Sequence, residues 1–309
     1  MDVNDRKRLP KNRRSPEAFL ERELTERSLD ILGIIARYRI VPTSAIVRLV
    51  DGNEDVTHRH LQLLYHRDLV GRVNRPGTSR NTEYAYFIEK SLRLRSVLPR
   101  HRLKELGLES RQRRSIVVPS ENNGPGRQLF LEHEIMISDF RAALEIAARN
   151  SDNRVVLEAW KQGTETWDRV RVNSSGARSI LPHRPDAYFV LQFPTAAEGQ
   201  QRGRFFYEAD RGTTNTTRFN LKLQAYLSFF LTGQYAEKYQ SHKVRAVLIQ
   251  AITQKRMQQL MAVASALAQT EPLAGALFWF VASDQIQNSG GFAAVWSTVQ
   301  DERKRSVLD

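Results

Sequence analysis

Four residues in the later two-thirds of the chain have the types and spacing for phosphodiester chemistry. Asp186 follows Arg184-Pro185 and opens an apolar run, while Glu208 and Asp210 close the next such run. The i, i+2 spacing of Glu208 and Asp210 puts both carboxylates on one side of a strand. If the two runs are adjacent antiparallel strands, Asp186 and Glu208 come within reach of one hard cation. Carboxylate oxygens with water are what Mg²⁺, or Mn²⁺ in its place, takes as ligands. A metal so held polarises a phosphodiester and helps deprotonate an attacking water. Lys222, one turn into the following helix, would stabilise phosphate charge or orient the nucleophile. Glu134, on an earlier helix, is a further candidate acid. The candidate catalytic set is therefore Asp186, Glu208, Asp210, Lys222 and Glu134, with Asp186, Glu208 and Asp210 as metal ligands. The structural alternative is that these acids pair with arginines, with Arg211 or Arg218 as the nearest partners for Asp210.

The elements needed to position these groups are legible in the apolar periodicity. A helix is expected from about Leu129 to Arg149, with Leu131, Ile135, Ile137, Phe140, Leu144 and Ala147 on its apolar side. Strands are expected at Val155–Trp160, Arg169–Val172, Ala187–Phe193 and Arg204–Ala209. A helix from Arg218 to about Leu231 follows. Val244–Gln250 reads as a buried strand of the parallel type. A helix over Gln254–Ala268 and a strand over Leu277–Ala282 end the pattern. The order α-β-β-β-α-β is α/β, a central sheet covered by helices.

The first third carries different signals. Residues 1–23 form a basic arm with Pro10 and Pro16 and no apolar periodicity, which predicts a flexible segment. Thr25 is placed to cap a helix bearing Leu29, Leu32, Ile35 and Tyr38. A short helix opens at Pro42-Thr43-Ser44, Asp51-Gly52-Asn53 makes a turn, and a third helix runs from about Asp55 to Arg67. Leu69–Val73 and Tyr84–Ile88 then read as a hairpin around the basic turn Arg75–Asn81. Three helices and a basic hairpin predict a winged helix-turn-helix whose third helix enters the major groove of double-stranded DNA. The expected contacts are Thr57, His58, Arg59, Gln62 and His66 on that helix, with Arg72, Arg75 and Arg80 on the wing. The alternative for such a module is protein binding, with the same helix and hairpin solvated. Ser120–Gly126 is the clearest linker signal. The expected organisation is an arm over 1–23, a DNA-binding domain over 24–116, a linker over 117–127 and a second domain over 128–309.

Composition supports this division. The 309 residues carry a net charge of +13, and residues 1–116 hold 25 of the 47 Lys/Arg against 15 of the 34 Asp/Glu. The first third is thus net +10 and the remainder +3, an asymmetry suited to a polyanion partner. With no cysteine, disulfides, thiolate zinc sites, iron–sulfur clusters and a cysteine nucleophile are excluded. No apolar run approaches the ~20 residues that span a bilayer, and the basic start has no signal-peptide pattern, so a cytoplasmic protein without membrane association is expected. His133 and His183 lack zinc-pair spacing and read as surface or boundary residues. No Walker loop is present. Tyr226, four residues after Lys222, reads as a group that packs or hydrogen-bonds on the same helix face.

Arg184-Pro185-Asp186, then Glu208-x-Asp210, then a basic helix position, resembles the PD-(D/E)XK nuclease-like superfamily, whose core has the order α-β-β-β-α-β. More narrowly, Arg184-Pro185-Asp186, Phe206–Thr213 and Lys222-x-x-x-Tyr226 behind a winged helix are similar to the bacterial replication-relaxation protein family, over roughly residues 24–285. The resemblance implies an α+β protein overall, with a winged helix followed by a nuclease-like domain. It implies DNA binding in the replication or mobilisation of a plasmid or other mobile element, with Mg²⁺-dependent nicking in view and other replication or mobilisation proteins, or a second copy of the chain, as partners. One departure stands out: the superfamily places lysine two residues after the glutamate, and this chain has Asp210 there. The cation role then falls to Lys222, or the domain is a non-catalytic regulator that binds partners or oligomerises.

Overall fold

A computed structural model describes residues 24–75, 83–88, 97–106, 124–174 and 177–309. The described residues form a mixed α/β protein with ten α-helices and ten strands. The chain divides into two compact units, residues 1–139 and 140–309.

In the first unit, α1 (Glu26–Arg37) starts where Thr25 accepts a hydrogen bond from the Ser28 amide. It buries Leu29, Ile31, Leu32, Ile34 and Ile35, a wide apolar stripe at helical spacing. A two-residue strand β1 (Val41–Pro42) leads into α2 (Thr43–Leu49), and Asn53 then caps α3 (Glu54–His66) through the amides of Asp55 and Val56. The αL backbone of Asp68, with φ of 64°, turns the chain into β2 (Val70–Asn74). β3 (Tyr84–Ile88) pairs antiparallel with β2 and, on its other edge, with β1. β1 was not expected as a strand. Two residues carry no readable alternation, and Pro42 is tolerated because the pairing lies at an edge. A short helix, α4 (Arg100–Glu105), follows.

Helix α5 (Gly124–Arg149) begins earlier than its apolar pattern suggests. Gly124-Pro125-Gly126, read as the end of a linker, forms its first turn, a position where proline's missing N–H costs nothing. The compact units part at 139/140, inside this helix, while residues 107–123 lie outside the described residues. Its N-terminal part packs Leu131 and Ile135 against Ile40, Val73 and Ala85 of the first unit.

The second unit is built on a five-stranded sheet in the order β10-β9-β8-β7-β4. The strands are β4 (Val156–Gln162), β7 (Ala187–Gln192), β8 (Arg202–Asp210), β9 (Ala246–Ala251) and β10 (Phe278–Ala282). β4, β7 and β8 run antiparallel; β8, β9 and β10 run parallel. The helices between the parallel strands are α6 (Thr216–Leu231), α7 (Gln234–Tyr239), α8 (Gln254–Ala268) and α9 (Leu273–Leu277), and α10 (Ser283–Ser289) follows β10. One sheet face, with Tyr188, Phe206, Val247 and Ile249, is covered by Phe219, Leu223 and Tyr226 of α6 and Met257 and Leu260 of α8. On the other face Phe140 stacks on Tyr207 at 4.2 Å and meets Phe189 edge-on.

One expected strand changes place. Arg169–Val172 belongs to β5 (Asp168–Ser174), which pairs only with β6 (Ala177–His183) in a separate two-stranded ribbon. The ribbon is an insertion between β4 and β7. β6 escaped sequence reading because Ser179 and Pro182 interrupt its apolar alternation. With the ribbon set aside, the helix–strand–strand–strand–helix–strand order is met by the end of α5, β4, β7, β8, α6 and β9.

Candidate carboxylate site and helix surface

β8 is the strand that brings the acids together. Its residues alternate between the two covered faces, so Phe206, Glu208 and Asp210 share the side covered by α6 and α8. Glu208 thus occupies a core position, 3% exposed. A buried carboxylate must find donors, and α6 supplies them from residues one turn apart. The Tyr226 hydroxyl donates to Oε1 at 2.6 Å, and the Lys222 ammonium pairs with Oε2. Lys222 and Tyr226 are the i, i+4 pair whose shared face was read from sequence.

Asp186 ends the loop before β7. The register Ala187↔Tyr207 sets it opposite Glu208. Its Oδ2 accepts the Ala209 amide at 2.9 Å, while the Pro185 carbonyl accepts from the Thr166 hydroxyl at 2.9 Å. Asp210 is held differently. Arg256, in the first turn of α8, grips it with Nε to Oδ1 at 2.7 Å and Nη2 to Oδ2 at 3.0 Å, and the Gly212 amide adds a third bond at 2.9 Å.

The electrostatics follow from this geometry. Burial, with the charge of Asp186 adding to it, pushes the Glu208 carboxyl up to about 8 against the pull of Lys222 and Tyr226. Burial lowers the Lys222 ammonium, but the charges of Glu208, Asp186 and Asp210 outweigh it and hold the group above its ordinary value. Burial and the adjacent Glu208 raise the Tyr226 phenol well above its usual range. Tyr226 is therefore a neutral hydrogen-bond donor, a poor state for a nucleophile.

The arrangement departs from expectation at several points. The partner of Asp210 is Arg256, neither Arg211 nor Arg218. A separation of 46 positions hid the pair, although a cation in a helix's first turn opposes the helix dipole and calls for an acid. Glu134 belongs to the first unit, where it is buried and pairs with Arg39 Nη1 at 3.1 Å. His183 is 1% exposed, neither a surface nor a boundary residue. Among the described residues, no three His, Asp or Glu side chains gather in a way that could hold a metal ion. The oxygens of Glu208 accept from Lys222 and Tyr226, and those of Asp210 from Arg256.

The helix surface of the first unit is partly as expected. His58, Arg59 and Gln62 of α3 are exposed. Thr57 and His66 are buried, because they lie on the side of α3 that packs inward. The Thr57 hydroxyl accepts from Arg27 Nη2 at 3.0 Å, and His66 meets the Tyr65 ring edge-on. Arg72 stacks its guanidinium over Tyr65 and Tyr84 at 3.8 and 4.3 Å. Arg75 bridges Glu83 and Asp139, each at 2.9 Å, and so ties the hairpin to α5. Arg80 lies outside the described residues, as does the arm over 1–23.

These features define a class: a two-unit α/β protein with a helix that exposes His58, Arg59 and Gln62 in one unit and a buried, cation-paired carboxylate group in the other. Among the described residues no helix is long and apolar enough to cross a membrane. A family model described as replication-relaxation matches residues 32–245, more than half of the chain. The chain belongs to the replication-relaxation family. No curated protein and no solved structure gives a significant match to it.

Proposed function

We propose that this chain binds double-stranded DNA in the replication or mobilisation of a plasmid or other mobile element, and that its second unit serves this role without metal-dependent cleavage. Family membership supports the replication and mobilisation part of this reading. The observation that carries DNA binding is the exposed row His58, Arg59 and Gln62 on α3, which follows a short helix and a turn and precedes an antiparallel hairpin. That order is the one in which winged helix-turn-helix modules offer a recognition helix to the major groove. Arg59 and Gln62 have the donors that base edges and phosphates accept. In the second unit, the pairing of Glu208 with Lys222 and of Asp210 with Arg256 favours an internally neutralised core over an open site for Mg²⁺ or Mn²⁺.

Full-length protein should be titrated against supercoiled plasmid carrying its native replicon, with and without Mg²⁺ or Mn²⁺. The expected result is a mobility shift that weakens in Arg59→Glu, with the plasmid left supercoiled. Unchanged binding in Arg59→Glu/Gln62→Ala would remove α3 as the DNA contact. Metal-dependent nicking that disappears in both Asp186→Asn and Glu208→Gln would overturn the non-cleaving assignment and restore the carboxylates as metal ligands.

A further inference from the structure

The outer face of the β5–β6 ribbon lies apart from the carboxylate site. Its inner face carries Val170, Val172 and His183, all buried, with His183 set among the rings of Phe206, Tyr226 and Phe229. Its outer face is solvent-exposed and basic. Arg169 and Arg171, two positions apart on β5, point the same way and are both exposed. Neither makes an ion pair among the described residues. The register sets Pro182 opposite Arg169 and Ile180 opposite Arg171, and Ile180 is 64% exposed. At the base of the ribbon Trp167 is 44% exposed, with the exposed Arg184 guanidinium 4.9 Å from its ring centre.

This face is held from behind by hydrogen bonds to its strand backbone. The Arg169 carbonyl accepts from Gln234 Nε2 at 3.2 Å, and the Arg171 carbonyl accepts from the Ser228 hydroxyl. Lys238 pins Asp168 at 2.8 Å, so the acid within β5 is neutralised by a residue of α7. The outer strand positions thus present arginines on a backbone ordered by α6 and α7. A fixed backbone lowers the ordering cost of any partner the arginines meet.

We infer that the outer face of this ribbon is a second contact for double-stranded DNA, separate from α3. A two-stranded antiparallel ribbon is of a size the major groove admits. Arg169 and Arg171 stand about 6.8 Å apart along the strand, close to two base-pair steps of about 3.4 Å each. Guanidiniums without an ion pair among the described residues, beside an exposed isoleucine and a tryptophan, suit phosphates together with the apolar edges of sugars and bases. A protein partner would have to bring acids to the same positions, and DNA brings them at regular spacing. The contact stands apart from the α3 reading, and either can fail alone.

The test is a salt titration of binding to a short mixed-sequence duplex, using the full-length chain. Arg169→Glu/Arg171→Glu should weaken binding by about tenfold or more near physiological salt and reduce the log–log salt slope by about 2. Arg169→Gln/Arg171→Gln, which disturbs the fold less, should give a smaller loss in the same direction. Lys255→Glu/Arg303→Glu makes the same change in net charge at exposed sites elsewhere and should leave most of the affinity. Added to Arg59→Glu, the ribbon substitutions should weaken binding further. If Arg59→Glu has no effect but the ribbon variants do, the α3 reading falls and the ribbon stands. Unchanged affinity and slope in both ribbon variants would overturn the inference, even if they lost binding to an acidic protein. An equal loss in the Lys255/Arg303 control would overturn it too, by reducing the effect to net charge.

Discussion

Removing the cation from the buried carboxylate is the sharpest perturbation of this molecule. In Lys222→Met the aliphatic stem is kept and the ammonium lost, leaving Glu208 buried with Tyr226 as its remaining partner of this pair and the charge of Asp186 nearby. Breaking a buried ion pair by deleting one partner costs about 3–5 kcal/mol. The Lys222 side chain keeps 34% of its surface exposed, so water offsets part of this and the lower end, about 3 kcal/mol, applies where the Glu208 carboxylate is ionised, above its folded value of about 8. Glu208→Gln leaves a partly solvated lysine and should cost about 1 kcal/mol. The double variant should lie within about 1 kcal/mol of the parent, because the uncompensated charge is gone. The cycle then gives a coupling of about 3–5 kcal/mol. The pH dependence has a definite sign. The folded Glu208 carboxyl sits at about 8 against 4.5 for the ordinary group, so the folded chain holds a proton that the unfolded chain releases. Its contribution is most favourable below the unfolded value and is lost as pH rises towards the folded one. Loss of Lys222 raises the folded value further. The penalty of Lys222→Met should therefore be nearly constant below about pH 8, where the folded carboxyl is protonated with or without the lysine, and grow as pH rises through the folded value of about 8, read by urea denaturation followed through tryptophan fluorescence. A cost that stays under about 1 kcal/mol above that value, or one that does not grow there, would refute the account of a buried, cation-dependent carboxylate.

Three further expectations follow from the same contacts. Arg256→Ala should cost about 2–3 kcal/mol by stranding Asp210. Arg256→Lys should recover less than half of it, since an ammonium cannot reproduce the two-pronged grip, and denaturation midpoints of the two variants decide this. Gly291→Ala would set a Cβ 2.6 Å from the Ala143 carbonyl oxygen of α5; helix backbone cannot give way cheaply, and a loss of about 2 kcal/mol is expected in thermal melts. Burial lowers the His183 imidazole against the pull of Asp168, which lies 3.7 Å from Nδ1. Its contribution to stability is then full above the unfolded value of 6.5 and is lost as pH falls through it towards the folded value. His183→Phe should remove that acid sensitivity in melts across mildly acidic pH, and an unchanged pH profile would contradict it.

Much of the architecture was written in local pattern. Thr25 and Asn53 mark helix starts by their chemistry, and the alternation along β8 places Glu208 and Asp210 on one face before any packing is known. The spacing of Lys222 and Tyr226 declares a shared helix face in the same way. Those features depend on neighbours within a few residues, where backbone geometry alone sets direction. What lies opposite each face depends on chain segments far apart in sequence, and tertiary structure decided it. Local pattern could offer Thr57 and His66 as a surface, but the packing of α1 and the hairpin against α3 put them inside. Asp210 had nearby arginines as partners until the parallel crossover from β8 to β9 carried Arg256 to its carboxylate. β5 read as a core strand because Val170 and Val172 alternate correctly, yet one buried face is equally served by packing on a helix. The acids at 186, 208 and 210 were legible as a group; that the protein's own cations neutralise Glu208 and Asp210 is a fact of long-range packing. Carboxylates moved into a low-dielectric interior must acquire donors, and only the folded chain determines which donors are within reach.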